Sequence, residues 1–328
     1  MLLCALPASA ADRTPLRLQP PSLFDAGLVA PRIPDRILQT RTVLPNHAWG
    51  GGFATAAGEP VDLWISDAYQ EDRAVGQRWV DYLGQLAHGP ELSQVTVFLG
   101  TLDEVEFLCG YGAIACYEPA DGLVLTPAED VPGAATAEGA LTHEYGHHVS
   151  QHRVNPPWDA GDYGTKRWAT HIGVCAAVAR NALFPGDQAG HYRLNPSEIF
   201  AESYRVLNER RLGRTESPWR IVDDRYYPDE AGLRALERDV TAPWLANGTV
   251  TLKTPGPRSI TVSTPLDGSI EVRMAGPHYA LALADPAGKV LARSAGGTLR
   301  GLVCGQRSLT VRVAGRPRGA VSLRISRP

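Results

Sequence analysis

Residues 143–147 read His143-Glu144-Tyr145-Gly146-His147, and this pentad restricts the fold more than any other stretch of the chain. On a helix, residues four apart share one face, with Cβ atoms about 5–6 Å from each other. Two imidazoles at this spacing can therefore hold one metal ion, and the run from Ala135 to His152 reads as the helix that carries them. Glu144 lies one step around the helix, where it is badly placed to ligate but can reach a water on the ion. Zinc lowers the pKa of such a water to about 7, and a carboxylate can take its proton as the water attacks a carbonyl. A zinc site of this kind needs a third protein ligand, so the chain has to bring one from elsewhere.

Metzincin spacing would put a glycine at 150 and a histidine at 153; Ser150 and Arg153 stand there, which excludes that class. The segment Asn195-Pro196-Ser197-Glu198-Ile199-Phe200-Ala201-Glu202-Ser203-Tyr204 is more informative. Asn195 reads as an N-cap and Pro196 as the first helical residue. Glu198 and Glu202 are again four apart, flanked by Ile199, Phe200, Tyr204, Val206 and Leu207. Two carboxylates in so apolar a helix are costly unless a cation or hydrogen-bond donors pair with them. We assign Glu198 as the third ligand and Glu202 as the carboxylate that orients a ligand histidine through its other nitrogen. Two other readings stand beside this one. Asn195-x-x-Glu198 matches a capping box, in which Glu198 only returns to the backbone, and the two glutamates could exchange roles.

The pentad, followed at a distance by Glu-x-x-x-Glu in an Asn-Pro-x-Glu-x-Phe-Ala-Glu setting, resembles the gluzincin zinc metallopeptidases, in particular the subgroup of the anthrax lethal factor catalytic domain. The resemblance covers residues 143–147 and about ten residues around Glu198. It implies zinc held by His143, His147 and Glu198, with Glu144 as general base. It also implies a tyrosine or histidine just before the third-ligand helix that steadies an oxyanion, a part open to Tyr192 or His191.

The chain around these motifs has a readable order. Trp49 to Pro60 reads as a hairpin, Val61–Ile65 and Val95–Leu99 as strands, and 117–126 as a turn followed by a strand. Helical periodicity marks 71–88, 102–108, 163–184 and 196–211. Past Trp244, β-branched runs such as Ser259-Ile260-Thr261-Val262 and Leu309-Thr310-Val311-Arg312-Val313 recur at intervals of about ten residues, the spacing of a sandwich. They resemble the β-sandwich appended to many secreted bacterial peptidases. The predicted fold class is an α+β zincin-like catalytic domain over 45–245, with a mixed sheet and an active-site helix, then an all-β sandwich over 247–328. A Pro- and Gly-rich extended segment over 12–44 precedes them. Bound peptide is expected along an edge strand near 122–127.

Met1 to Ala11 is short and apolar and ends in Ala8-Ser9-Ala10, like the back half of a secretory signal peptide. With Cys4 removed, Cys109, Cys116, Cys175 and Cys304 remain, and an even count in an exported chain suggests two disulfides. Cys109 and Cys116 close a short Gly-containing loop and are the first choice; Cys175–Cys304 follows by elimination. Free thiols throughout would fit only a cytosolic protein.

A net charge of −3 over 328 residues gives no electrostatic reason to bind nucleic acid or anionic lipid. No apolar run reaches the roughly 18–20 residues that a membrane span needs. Lys166, Lys253 and Lys289 are the only lysines among 32 basic residues, a usage typical of GC-rich bacterial genomes. The expectation is a monomeric, secreted or cell-envelope zinc peptidase acting on peptide or protein, with a C-terminal domain suited to wall or extracellular polymer. The alternatives are a non-catalytic binding or adhesion protein that keeps zinc as a staple, and a zinc hydrolase of a non-peptide amide.

Overall fold

A computed structural model describes Leu44, residues 48–215, Ser217, and residues 220–254, 259–275, 280–315 and 321–328. The readings of 1–11 and of nearly all of 12–44 lie outside the described residues. Strands β1 (Trp49–Ala54) and β2 (Pro60–Ile65) form a hairpin with Trp49 opposite Ile65, so the hairpin expected over 49–60 takes the strand expected over 61–65 as its second arm. Gly50 is required in it: its φ is +128°, and a Cβ there would stand 2.2 Å from the Leu63 carbonyl oxygen. Helix α1 (Arg73–Gln85) is capped by Asp72 and buries Val75, Trp79, Val80 and Leu83. Strand β3 (Thr96–Gly100), helix α2 (Leu102–Cys109), strand β4 (Cys116–Glu118) and strand β5 (Leu123–Pro127) follow.

The five strands make one mixed sheet in the order β1-β2-β3-β5-β4. The β2–β3 and β3–β5 pairs are parallel, and β4 pairs antiparallel to β5 on the far edge. Every residue of β5 is buried, as expected of a strand covered on both faces. The edge strand is therefore β4, not the 122–127 segment. Leu123-Val124-Leu125 is apolar on consecutive residues and belongs inside a sheet, and the three-residue β4 lies outside it at the end of the strand order.

One face of the sheet packs on the main core, which includes Leu63, Leu83, Leu141, Tyr145, Trp168, Phe200 and Leu236. The other covers Phe98, Val105, Leu123 and Leu125 beside the Cys109–Cys116 disulfide. Helix α3 (Ala137–Gln151) crosses under β5. Two short helices, α4 (Ala160–Tyr163) and α5 (Lys166–Ile172), come next, then α6 (Val174–Val178). The single helix expected over 163–184 is thus divided. Gly164 and Gly173 both take φ of +74°, a left-handed conformation that ends a helical run. Helix α7 (Pro196–Arg211) matches its expected bounds, and α8 (Glu230–Thr241) lays Leu233, Leu236 and Val240 on the core.

Among the described residues beyond Asn247, all regular structure is β: β6 (Gly248–Thr254), β7 (Ser259–Ser263), β8 (Gly268–Met274), β9 (Ala280–Ala284), β10 (Val290–Ser294), β11 (Thr298–Val303), β12 (Ser308–Ala314) and β13 (Val321–Arg327). They pair antiparallel into two four-stranded sheets, β10-β9-β12-β7 and β11-β8-β13-β6. Alternate residues such as Ile270, Val272, Leu309, Val311, Leu323 and Ile325 fill one core between them. The α+β part and the later all-β part each have their own apolar core. The Cys175–Cys304 disulfide joins them, and Thr170 Oγ1 accepts the Asp267 N–H across the same contact.

Candidate metal centre

Helix α3 begins at Thr136, whose hydroxyl accepts the Gly139 N–H, and is buried on nearly every side. It lies between the sheet and α7, so Leu141, Tyr145 and Val149 enter the core while His143 and His147 meet α7. Gly146 sets how close the two helices come. A Cβ at this position would stand 3.0 Å from Ala201 Cα and 3.2 Å from Tyr204 Cβ. On α7, the Asn195 side chain accepts the Ser197 N–H and Pro196 starts the first turn, as expected.

The close approach brings Glu198 to both histidines. Its Oε2 is 3.2 Å from His143 Nε2 and 3.4 Å from His147 Nε2. The two rings meet edge to face, with centroids 5.1 Å apart. One ligand atom from each of His143, His147 and Glu198 lies within 4.8 Å of the other two, so the group could hold a metal ion. The capping-box reading of Glu198 is not realised, because its carboxylate faces the imidazoles. The side chains of His143 and Glu198 are 3% and 2% exposed, whereas that of His147 is 13% exposed, so the centre opens to solvent on the His147 side.

Behind the histidines, Ser197 Oγ is 3.0 Å from His147 Nδ1. Glu202 Oε2 stands 3.7 Å from His143 Nδ1, an ion-pair distance too long for a hydrogen bond. Both Nε2 atoms therefore point at Glu198 and both Nδ1 atoms point away from it. The roles of the two glutamates are spatially distinct: Glu198 reaches both imidazoles at Nε2, and Glu202 backs one of them.

The buried acids and imidazoles shift one another's ionisation. Burial pushes the Glu198 carboxyl up, but His147 and His143 outweigh it and hold the group well below the usual carboxylate range. Burial likewise opposes ionisation of Glu202, yet Arg205 and His143 bring it down to about 2. His143 would lose proton affinity by burial, and Glu198, Glu202 and Glu144 reverse this, raising it to about 10. Glu144 is raised by burial against the pull of His143 and His147. Three carboxylates surrounding two imidazoles suit a divalent cation. Two imidazole nitrogens and one carboxylate oxygen form a donor set that zinc accepts with a fourth position to spare.

The adjacent candidates Tyr192 and His191 part company. Tyr192 opens a 3₁₀ turn (Tyr192–Leu194), and its phenol lies within the electrostatic reach of Glu198 and Glu144. Burial first, then the charges of Glu198 and Glu144, raise its pKa well above 10, so the hydroxyl keeps its proton. His191 does not join the cluster. It is exposed, pairs with Asp187 at 2.7 Å and stacks on Phe184 at 3.7 Å. Sequence reasoning passed over Ser197, although it directly precedes Glu198, and Arg205, whose place three residues after Glu202 in an apolar helix was the available signal.

Both expected disulfides are present, a pattern that fits an extracellular protein. No helix among the described residues is long and apolar enough to cross a membrane.

An α+β chain with a His–His–Glu group able to hold a metal ion is the class that fold and site define together. No family model matches the chain, and no curated protein matches it. Among solved structures, the periplasmic lysozyme inhibitor PliG of Aeromonas hydrophila is similar over 25% of this chain and 86% of its own, with 16% identity and a TM-score of 0.20. A de novo designed double-stranded β-helix is similar over 25% of this chain and 97% of its own, with 17% identity and a TM-score of 0.17. At such scores neither likeness bears on fold or function.

Proposed function

We propose that this chain is a secreted zinc-dependent peptidase of the gluzincin kind, built on a zincin-like fold. The observation that carries the reading is the convergence of His143 Nε2, His147 Nε2 and Glu198 Oε2, with Glu144 buried beside them. His143, His147 and Glu198 would hold the ion. A bound zinc ion supplies Lewis acidity, polarising a carbonyl and lowering the pKa of water to about 7.

The remaining chemistry belongs to the chain. Glu144, with a pKa raised by burial, is suited to take a proton from water and return it to the leaving amine. Tyr192, held protonated, can donate its hydroxyl to the oxygen of the scissile carbonyl as negative charge develops there. Strand β4 packs beside α3 and is unpaired on its outer side among the described residues, where an extended peptide could add as a further antiparallel strand.

The test is Glu144→Ala, assayed against a broad peptide library. The expected outcome is stoichiometric zinc with hydrolysis reduced by at least about 10²-fold. Retained hydrolysis removes Glu144 from the mechanism. A wild-type protein that holds zinc yet cleaves nothing would instead favour the non-catalytic binding protein.

A further inference from the structure

Buried charge extends past the centre into α7. Glu202 has no exposed surface, and one guanidinium holds both of its oxygens: Arg205 Nε donates to Oε2 at 3.0 Å and Nη2 donates to Oε1 at 2.7 Å. Arg205 is itself fully buried, and its Nη1 donates to Glu209 Oε1. Glu209 Oε2 in turn accepts the backbone N–H of Ser217, beyond the end of the helix. Glu202, Arg205 and Glu209 thus form an acid–base–acid row along one helix, with its first member 3.7 Å from His143 Nδ1. A two-pronged arginine contact fixes a carboxylate in orientation as well as charge. Glu198 and Glu202 are one turn apart on the same helix, so each could in principle reach a cation. The fork occupies Glu202 and leaves Glu198 to face the imidazoles.

We infer that Arg205 is a positioning residue for the cation site. Acting through Glu202, it keeps that carboxylate behind His143, 3.7 Å from Nδ1, and out of the ligand set, so that its negative charge favours the ring orientation with Nε2 toward the ion. The inference rests on reading His143, His147 and Glu198 as a cation site. It predicts a dependence of cation affinity on a residue that touches neither ion nor substrate.

The test measures zinc affinity by chelator competition and the visible absorption of the cobalt(II)-loaded protein, for wild type, Arg205→Met, Arg205→Lys, Glu202→Gln and the double variant Glu202→Gln/Arg205→Met. Arg205→Met should weaken zinc binding by roughly 10–100-fold and change the cobalt spectrum. Arg205→Lys should recover part of the loss, because it restores the charge without the fork. In the Glu202→Gln background, replacing Arg205 should weaken zinc no further. An Arg205→Met protein that is less stable but has wild-type zinc affinity and cobalt spectrum overturns the inference, as does an equal loss in both backgrounds. Should Arg205→Met fail to fold, the lysine variant decides: unchanged affinity and spectrum refute the role. A wild-type protein that binds neither ion defeats the cation-site reading itself, an outcome distinct from these.

Discussion

Replacing Gly146 by alanine sets two effects of known size against each other. Alanine is favoured over glycine within a helix by about 0.8–1 kcal/mol. Against this, the new Cβ would lie 3.0 Å from Ala201 Cα and 3.3 Å from the Ala201 carbonyl oxygen, backbone atoms that no rotamer change can move. Ordinary contact begins near 3.4 Å, so α3 and α7 must separate locally by about 0.4 Å. Overpacking of this kind costs typically about 1–3 kcal/mol. The packing penalty should therefore win, with a net loss of about 1 kcal/mol read as a lower urea midpoint of the metal-free protein. The same displacement acts between the histidines on α3 and Glu198 on α7. Metal–ligand distances tolerate only about ±0.2 Å, so zinc affinity should fall by about tenfold or more. Gly146→Ala that is as stable as wild type and binds zinc equally well would refute the claim that this close approach builds the centre.

Two further perturbations follow from buried charge and from chain connectivity. Glu91 accepts both outer nitrogens of Arg153 in a buried pair, so Glu91→Gln should destabilise by about 3–5 kcal/mol near neutral pH by leaving a guanidinium uncompensated. Burial raises the Glu91 carboxyl, Arg153 more than reverses this, and the net pKa lies below the ordinary 4.5. Its stabilising effect is then complete above about pH 4.5 and disappears as pH falls through the lower folded value. The gap between wild type and Glu91→Gln in chemical denaturation should accordingly narrow in acid; parallel profiles would contradict the assignment. For the disulfides, loop-closure entropy favours the longer one. The Cys175–Cys304 bridge, with a sequence separation of 129, should contribute about 5 kcal/mol, and the Cys109–Cys116 bridge, with a separation of 7, about 2.5 kcal/mol. Denaturant titrations of the two Cys→Ala pairs would show the reverse order if the tether between the two cores were unimportant.

Local signals carried much of the fold. Helix α7 was legible because Asn195 and Pro196 mark its start chemically; of the β1–β2 hairpin, the start at Trp49 and the strand over Val61–Ile65 were legible, but its return strand was placed too early, since the turn falls at residues 55–59. The break between α5 and α6 was not read. A glycine inside an apolar periodic stretch is compatible with a continuous helix, and only the left-handed φ of Gly173 shows that it ends one. The edge strand was misplaced for a different reason. The stretch 117–126 reads as a turn followed by one strand, whereas Cys116–Glu118 is itself a strand paired with β5, and β5 becomes interior because β3, more than twenty residues away, pairs parallel with its other side.

The site divides along the same line. Spacing within one helix identified each pair, His143 with His147 and Glu198 with Glu202, because helical geometry turns a four-residue interval into a shared face. What brings one pair to the other is packing between helices, and there the decisive residue carries no side chain. Gly146 sits inside the pentad at a position that the metal chemistry leaves free, and the fold uses it for the contact with Ala201. Neighbouring residues were separable only in three dimensions: the turn at Tyr192–Leu194 sends Tyr192 toward Glu198 and leaves His191 on the surface with Asp187. The supporting contacts from Ser197 and Arg205 follow from the same geometry. Once α7 is pressed against α3, the residue just before Glu198 meets the second histidine, and the residue one turn after Glu202 has no solvent left to reach. A buried arginine in this position has to find carboxylates, and the row of Glu202 and Glu209 is what makes its burial tolerable.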